Sequence, residues 1–374
     1  MGRRLRHGAG PQTRPRCNPS GPDTWSGRSD AQIDAMRWTV DGTCIVSYGV
    51  PQVTYMRMHA GSCARVVRRT EEGVTAGAPV PDRSEELVNQ FIAQTLNGLT
   101  LAGIMFLVSS GFTLVFGVMR ITNLAHGAFY LLGGYIAYST IEAVGNFFVG
   151  LVAAALAMGV LGVLLERTLV KRMRGQVMAE LLATLGLVYV IDDLALATWG
   201  GDPLSLRLPG FLQKSSTLPG GIVYPNGRFF ILGAAVVIGL LLYYLLRRTR
   251  IGAIVRAGVD DRPMVNVMGI NVRLVFTSVF ALGSLLAGVG GALGGTVLTL
   301  APNADAEILT FALIVVIVGG LGSFEGAVLG SLIVGLLSNY GQAYFPALAY
   351  FALFAPLVIV LLVRPQGLLG RSVA

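Results

Sequence analysis

Of 374 residues, 53% are hydrophobic and 13% charged, and the formal net charge is +8. Soluble globular chains carry about 25% charged residues, so this composition excludes an ordinary water-facing surface. Nucleic-acid binding is excluded too, because Lys and Arg cluster beside apolar stretches, as orientation across a membrane requires, with no zinc spacing, helix-turn-helix pattern or aromatic–basic interleaving.

Residues 1–84 stand apart from the rest. They hold twelve Arg and no Lys, two of the three His, and all three cysteines, Cys17, Cys44 and Cys63. An odd cysteine count at irregular spacing supports neither a disulfide framework nor a zinc site. No stretch keeps helical or strand periodicity, and no apolar run is long enough for a signal peptide or a span. The segment reads either as a disordered basic N-terminal extension or as a non-native one upstream of a mis-assigned start. The second reading is preferred on the charge argument below.

From residue 85 to 374 the chain reads as an all-α, polytopic transmembrane helical bundle. Apolar windows of roughly 18 or more residues mark membrane-spanning helices. The candidate spans are 97–119, 122–143, 147–165, 179–199, 229–246, 274–299, 308–320, 327–344 and 347–363. The expected number is eight or nine, since 308–320 is short enough to be re-entrant or half of a broken helix. The loop after Leu165 carries Arg167, Lys171, Arg172 and Arg174 against Glu166. The segment 247–273 carries Arg247, Arg248, Arg250, Arg256, Arg262 and Arg273 against Asp260 and Asp261. Both belong on the cytoplasmic side, whereas 200–228 and the turn at 301–307, with only Asp305 and Glu307, suit the outer face. Alternation then puts Arg120, Arg364 and Arg371 inside and the N-terminus outside, so the twelve Arg of the extension would have to cross the membrane.

Four stretches resemble the LivH-like permease subunits of ABC importers for branched-chain amino acids. The first runs from Asn97-Gly98-Leu99 through Gly103 and continues at Gly111-Phe112-Thr113 to Gly117. The second is Ile121-Thr122-Asn123-Leu124-Ala125-His126-Gly127, running on to Gly133-Gly134-Tyr135. The third goes from Arg256-Ala257 through Asp261 to Gly269-Ile270-Asn271. The fourth is Gly319-Gly320-Leu321-Gly322-Ser323-Phe324-Glu325-Gly326-Ala327, closed by Arg364-Pro365-Gln366-Gly367 through Arg371. Their order and spacing resemble the family's over about 88–374.

The segment 247–273 is too polar to span and too patterned for a slack linker. Asp260 or Asp261 can cap a helix that has Pro263 in its first turn, where a missing N–H costs nothing. Gly269 sits where a left-handed terminal residue is wanted, so a short helix over 262–268 is expected. The resemblance implies that this loop, with Arg256, Ala257, Asp261, Arg262, Gly269, Ile270 and Asn271, couples to the ATPase; the alternative is a solvated surface helix. Val265 stands where the family usually has a small residue.

Gly283, Ala287, Gly291 and Gly295 repeat at every fourth position, as do Gly322, Gly326 and Gly330. In lipid no hydrophobic force draws helices together, so small-xxx-small faces read first as helix packing. Polar residues inside a membrane are costly and face a cavity or a partner. Asn123 and His126, one turn apart, are either a satisfied buried pair or part of the translocation path. Asp192 and Asp193 are the sharper candidates for that path, since the family more often has neutral amides there. Neighbouring helical positions point about 100° apart, so only one of the two can face it squarely.

No GxxxxGK[ST] phosphate loop occurs, and His126 is the sole histidine after residue 84, which leaves no material for a catalytic triad or a His-based metal site. Neither enzyme activity nor a cofactor is expected. The resemblance implies the membrane subunit of an importer for branched-chain or related small amino acids in a bacterial inner membrane. Its implied partners are a second related permease, two ABC ATPase subunits, a periplasmic solute-binding protein and membrane lipid. The alternatives are a permease of the same group for a urea-, amide- or sugar-type solute, and a secondary transporter with Asp192 or Asp193 as its ion site.

Overall fold

The computed structural model describes the backbone of 33–38, 43–48 and 56–59, and residues 83–119, 123–173, 175–217, 222–260 and 271–370. The chain divides into two compact units, Met1–Pro81 and Asp82–Ala374.

In the first unit, strands β1 (Ile33–Trp38), β2 (Thr43–Tyr48) and β3 (Met56–His59) form an antiparallel meander. Trp38 lies opposite Cys44, and Thr43 opposite His59. The sequence reading found no strand periodicity here. β-branched and aromatic residues (Ile33, Trp38, Thr43, Ile45, Val46, Tyr48) nonetheless supply strand propensity.

The second unit is a helical bundle. Its helices are α1 (Arg83–Met119), α2 (His126–Val144), α3 (Phe147–Leu165), α4 (Val177–Trp199), the short α5 (Gly210–Gln213), α6 (Asn226–Arg248), α7 (Arg250–Asp260), α8 (Val272–Gly294), α9 (Ala304–Gly319), α10 (Phe324–Tyr344) and α11 (Ala349–Val363). A hairpin of β4 (Ser215–Thr217) and β5 (Val223–Pro225) precedes α6.

Local chemistry sets several of the joints. Gly145, at φ 73°, ends α2 in the left-handed conformation and returns its N–H to Ile141. The next residue, Asn146, caps α3 by accepting from the N–H of Phe148 and Val149. A glycine stop followed by an amide cap makes this a two-residue helical corner. The α3 helix does not end at Leu165: it continues as a π-helical turn, Glu166–Val170, and a last turn, Lys171–Met173.

Six helices among the described residues are long and apolar enough to cross a membrane, or up to seven if α9 and α10, bent by 119° at their junction, form one span. The expected eight or nine is not confirmed by this count. Two of the counted windows, 308–320 and 327–344, are arms of one broken helix, and the window 122–143 becomes α2. This helix carries His126, Tyr130, Tyr135, Tyr138, Ser139, Thr140 and Glu142; ten of its residues, from His126 to Ala137, are buried, while Ser139 and Glu142 in its later turns are exposed.

Burial separates an inner from an outer layer. The apolar windows of α1 and α8 are 83% and 61% buried, against 22% for α3, 17% for α4 and α6, and 11% for α11. Glycines let the inner helices touch. Gly283 of α8 meets Gly111 of α1, Gly288 meets Gly133 of α2, and a Cβ on Gly291 would strike the backbone carbonyl of Tyr130. Gly295 lies under Leu206. Ala287 is fully buried, while Gly326 and Gly330 bring α10 against Gly319 and Val315 of α9.

At the α9–α10 break, Gly320 and Gly322 adopt φ of 108° and 78°, a region that excludes most L side chains. Ser323 then caps α10 by accepting from Gly326 N–H at 3.0 Å. The carbonyls of Val318 and Gly319, which a helix end leaves without helical partners, accept from Leu368 and Leu369 N–H at 2.9 Å each. The two parts of the fourth motif, far apart in sequence, thus form one clasp.

Candidate transport path and coupling face

The polar residues singled out from the sequence fall into three places. In the middle of the bundle, Asn123 and His126 are 2% and 1% exposed. Asn123 Oδ1 accepts from Ala125 N–H at 3.1 Å, which shapes the turn into α2. His126 Nε2 lies 2.9 Å from the Val108 carbonyl of α1, and its ring meets those of Phe112 and Phe129 edge-on at 5.5 and 6.4 Å. These contacts tie α2 to α1. Asn123 Nδ2 has no protein partner, and the residue lines a cavity with Val115, Met119, Val170, Thr184 and Phe280.

Two buried acids flank this region that the sequence reading did not single out. Glu166, in the π turn, accepts from Thr277 Oγ1 at 2.6 Å. Glu180, at the start of α4 and on the cavity wall, accepts from Gly175 N–H at 3.2 Å. They are 2% and 3% exposed. The π turn was the available signal in three dimensions only, since such turns commonly mark functional positions but leave no simple sequence pattern.

On α4, Asp192 is half-buried with its Oδ1 enclosed and without a partner, while its neighbour Asp193 is exposed. The two therefore face different surroundings. Asp305, read from the sequence as part of an outer turn, instead sits in the first turn of α9 and is 2% exposed. Its backbone carbonyl lies against Gly127 of α2.

The segment 247–273, expected from the sequence to couple to an ATPase, is described in part. α7, not foreseen, begins where Thr249 ends α6 and caps the next helix: its Oγ1 accepts from Gly252 N–H at 3.2 Å. Arg256 and Ala257 lie on α7, whose Val255 is 6% exposed in a cluster with Leu246 and Phe276. Asn271 caps α8, accepting from Arg273 and Leu274 N–H at 3.1 and 3.3 Å. Asp261, Arg262, Gly269, Ile270 and the helix expected over 262–268 lie outside the described residues. Beside this segment, Arg247 at the end of α6 donates from Nε (3.2 Å) and Nη2 to Glu325 in the first turn of α10. At the far end of α1, Arg228 donates to Asn97, Asn339 to Gln94 Oε1 at 2.9 Å, and Thr95 and Tyr340 share a 2.7 Å hydrogen bond.

Among the described residues no group of three or more His, Cys, Asp or Glu could hold a metal ion. The arrangement offers buried polar groups between inner helices and an amphipathic element beside a broken helix.

The family described as branched-chain amino acid transport system, permease component, matches residues 94–363. The chain is 28% identical over 302 residues to the high-affinity branched-chain amino acid transport system permease protein BraD of Pseudomonas aeruginosa, covering 76% of this chain and 97% of that protein. It is also 28% identical to the permease protein LivH of Escherichia coli, named for the same transport system, over 75% of this chain and 96% of that one. The ribose import permease protein RbsC of Escherichia coli is 28% identical over 72% of this chain and 84% of its own length. No solved structure matches the chain.

Proposed function

The chain belongs to the family of branched-chain amino acid transport permease components, and from that premise we propose that it carries branched-chain or related small amino acids inward as the multi-pass membrane subunit of an ABC importer. The observation that supports this most is the alignment with BraD over 97% of that protein, together with a helical bundle whose inner helices carry buried polar residues. The chain is a transport subunit and not an enzyme. ATP hydrolysis is assigned to two partner ATPases, half of the pathway to a second related permease, and solute capture to a binding protein outside the membrane.

In this reading α7 and the segment to Asn271 receive the ATPase. A push on α7 reaches α6 through the corner at Thr249, and reaches the α9–α10 break through Arg247 and Glu325. A broken helix offers two discrete arrangements that such a push can bias. Access to the path would alternate as the inner helices shift against the lipid-facing layer. In the same reading Asn123, His126 and Asp192 line that path.

The experiment is ATP-driven leucine uptake in proteoliposomes containing the permease pair, the ATPases and the binding protein. Uptake should stop when the ATPase is inactivated and survive collapse of ion gradients. The opposite pattern would establish secondary transport and refute the reading. The likeness to a ribose import permease favours a second reading, a sugar-type solute, which competition of leucine uptake by excess ribose would reveal.

A further inference from the structure

The end of α3 and the start of α8 meet in a corner whose charges are sorted by depth. Thr277 Oγ1 of α8 donates to Glu166 Oε2 of the π turn at 2.6 Å and to the carbonyl of Arg273, one turn earlier in α8, at 3.0 Å. One hydroxyl therefore holds the π turn against the first turn of α8. Glu166 is the single acid in 160–173 and 271–282, and it is 2% exposed. Glu180 of α4, which accepts from Gly175 N–H at 3.2 Å, is buried as well. Arg167, Lys171, Arg172 and Arg273 are all exposed, and none of them has a carboxylate partner among the described residues. Arg167 and Lys171 stand four positions apart, about one helical turn. The acids are turned in and the cations out. The positive-inside rule makes this side cytoplasmic.

The surroundings select the kind of ligand. The apolar spans Phe147–Met173 and Val272–Gly294 end and begin at this corner, which sets it at the level of lipid head groups. Leu164, just before the π turn, and Leu274, next to Arg273, are 55% and 62% exposed. A ligand here meets positive charge at one end and leucine side chains at the other. A phosphodiester carries one negative charge, and guanidinium groups grip its oxygens with paired N–H donors. Basic pockets between membrane helices on the cytoplasmic side take such head groups. We propose that Arg167, Lys171 and Arg273 form a binding site for the phosphate of an anionic phospholipid, whose acyl chains lie along Leu164 and Leu274. The lipid would bridge the π turn and α8 from outside, as the Glu166–Thr277 bond does from within. The site needs only a chain that spans the membrane and is independent of the solute carried. Free phosphate shares the head-group chemistry but has no use for the leucines, so the test separates the two.

The full chain, purified in detergent, is titrated with dioleoylphosphatidylglycerol, dioleoylphosphatidylcholine and sodium phosphate, and bound lipid is counted by native mass spectrometry. Saturable binding of phosphatidylglycerol, tighter than that of phosphatidylcholine, is expected. Arg273→Gln and, separately, Arg167→Gln should each weaken phosphatidylglycerol about fivefold, the share of one basic side chain near a membrane surface, and leave phosphatidylcholine unchanged. Both positions are exposed, so the variants keep the fold, which far-UV circular dichroism checks. Arg248→Gln removes an exposed cation of α6 and should have no effect. Equal weakening by Arg248→Gln means a diffuse belt of charge and overturns the site. Displacement of the lipid by sodium phosphate at matched ionic strength assigns the corner to a soluble anion and overturns the lipid assignment. Unchanged affinity in both corner variants overturns it too, and loss of the ATPase subunits from a pull-down with those variants would then make the corner a protein dock.

Discussion

Two glycine-to-alanine substitutions in helices of the same bundle should have opposite effects. Gly186, on the exposed face of α4, has nothing within 4 Å of an added Cβ. Alanine there gains the intrinsic helix preference over glycine, about 0.8–1.0 kcal/mol. Gly291→Ala in α8 gains the same amount, but its Cβ would strike the Tyr130 carbonyl and crowd Gly134 N at 2.9 Å. Both are backbone atoms, which no rotamer change can move aside, so α2 and α8 must separate. Overpacking of a close-packed contact costs about 1–3 kcal/mol. The net effect runs from near zero to a loss of about 2 kcal/mol, and the two variants should differ by about 1–3 kcal/mol, about 5- to 150-fold in the folding equilibrium at 1.36 kcal/mol per decade. Unfolding by SDS in mixed micelles, followed by far-UV circular dichroism, measures that difference. Equal stabilisation of the two variants would refute the close α2–α8 contact and the inner-layer position of Gly291.

Other perturbations probe different parts. Thr277→Val keeps the side-chain shape but removes the hydroxyl that donates to Glu166 at 2.6 Å. A hydrogen bond to a charged group contributes about 1.5–3 kcal/mol, so the same unfolding assay should show a loss of that order; a change under about 0.5 kcal/mol would mean that Glu166 does not depend on Thr277. Asp192→Asn should reduce uptake more than Asp193→Asn, because only the former is half-buried with an enclosed oxygen; equal, severe losses at normal expression would contradict that ordering. The sequence expectation of a left-handed helix terminus at Gly269, which a β-branched residue tolerates poorly, predicts that Gly269→Val leaves the importer assembled but lowers uptake per ATP hydrolysed. Pull-down, ATPase and uptake measurements on one preparation decide it, and normal transport would remove the segment from the coupling route.

Much of the bundle is legible in the sequence because most of its outer helices face an apolar medium, and hydropathy reports that medium. The same signal misleads where the neighbour is protein. The first half of α2 is enclosed, so it can carry His126, Tyr130 and Tyr135 inside the bundle. Asp305 beside Pro302 resembles a loop acid, and only its approach to Gly127, distant in sequence, buries it. α7 was readable in principle: Ile251, Ile254 and Val255 keep helical spacing, but the surrounding arginines favour reading the stretch as a charged loop. The candidate site divides in the same way. Asn123, His126 and Asp192 stand out as polar residues in apolar windows, whereas Tyr135 is an ordinary aromatic until the ring of Trp199 is stacked on it. In the N-terminal unit, Asp41-Gly42 between two apolar runs is a hairpin signal that the abundance of arginine obscures.

The clasp at the α9–α10 break also bears on how the protein is made. Chains emerge from the ribosome N-terminus first, and the groups that satisfy the Val318 and Gly319 carbonyls belong to Leu368 and Leu369, beyond the end of α11. Until these leave the exit tunnel, the α9–α10 bend keeps two backbone acceptors without their final partners. Completion of the broken helix therefore waits for the residues that follow α11, and a chain cut before Leu368 would reach the membrane with its bend unsealed.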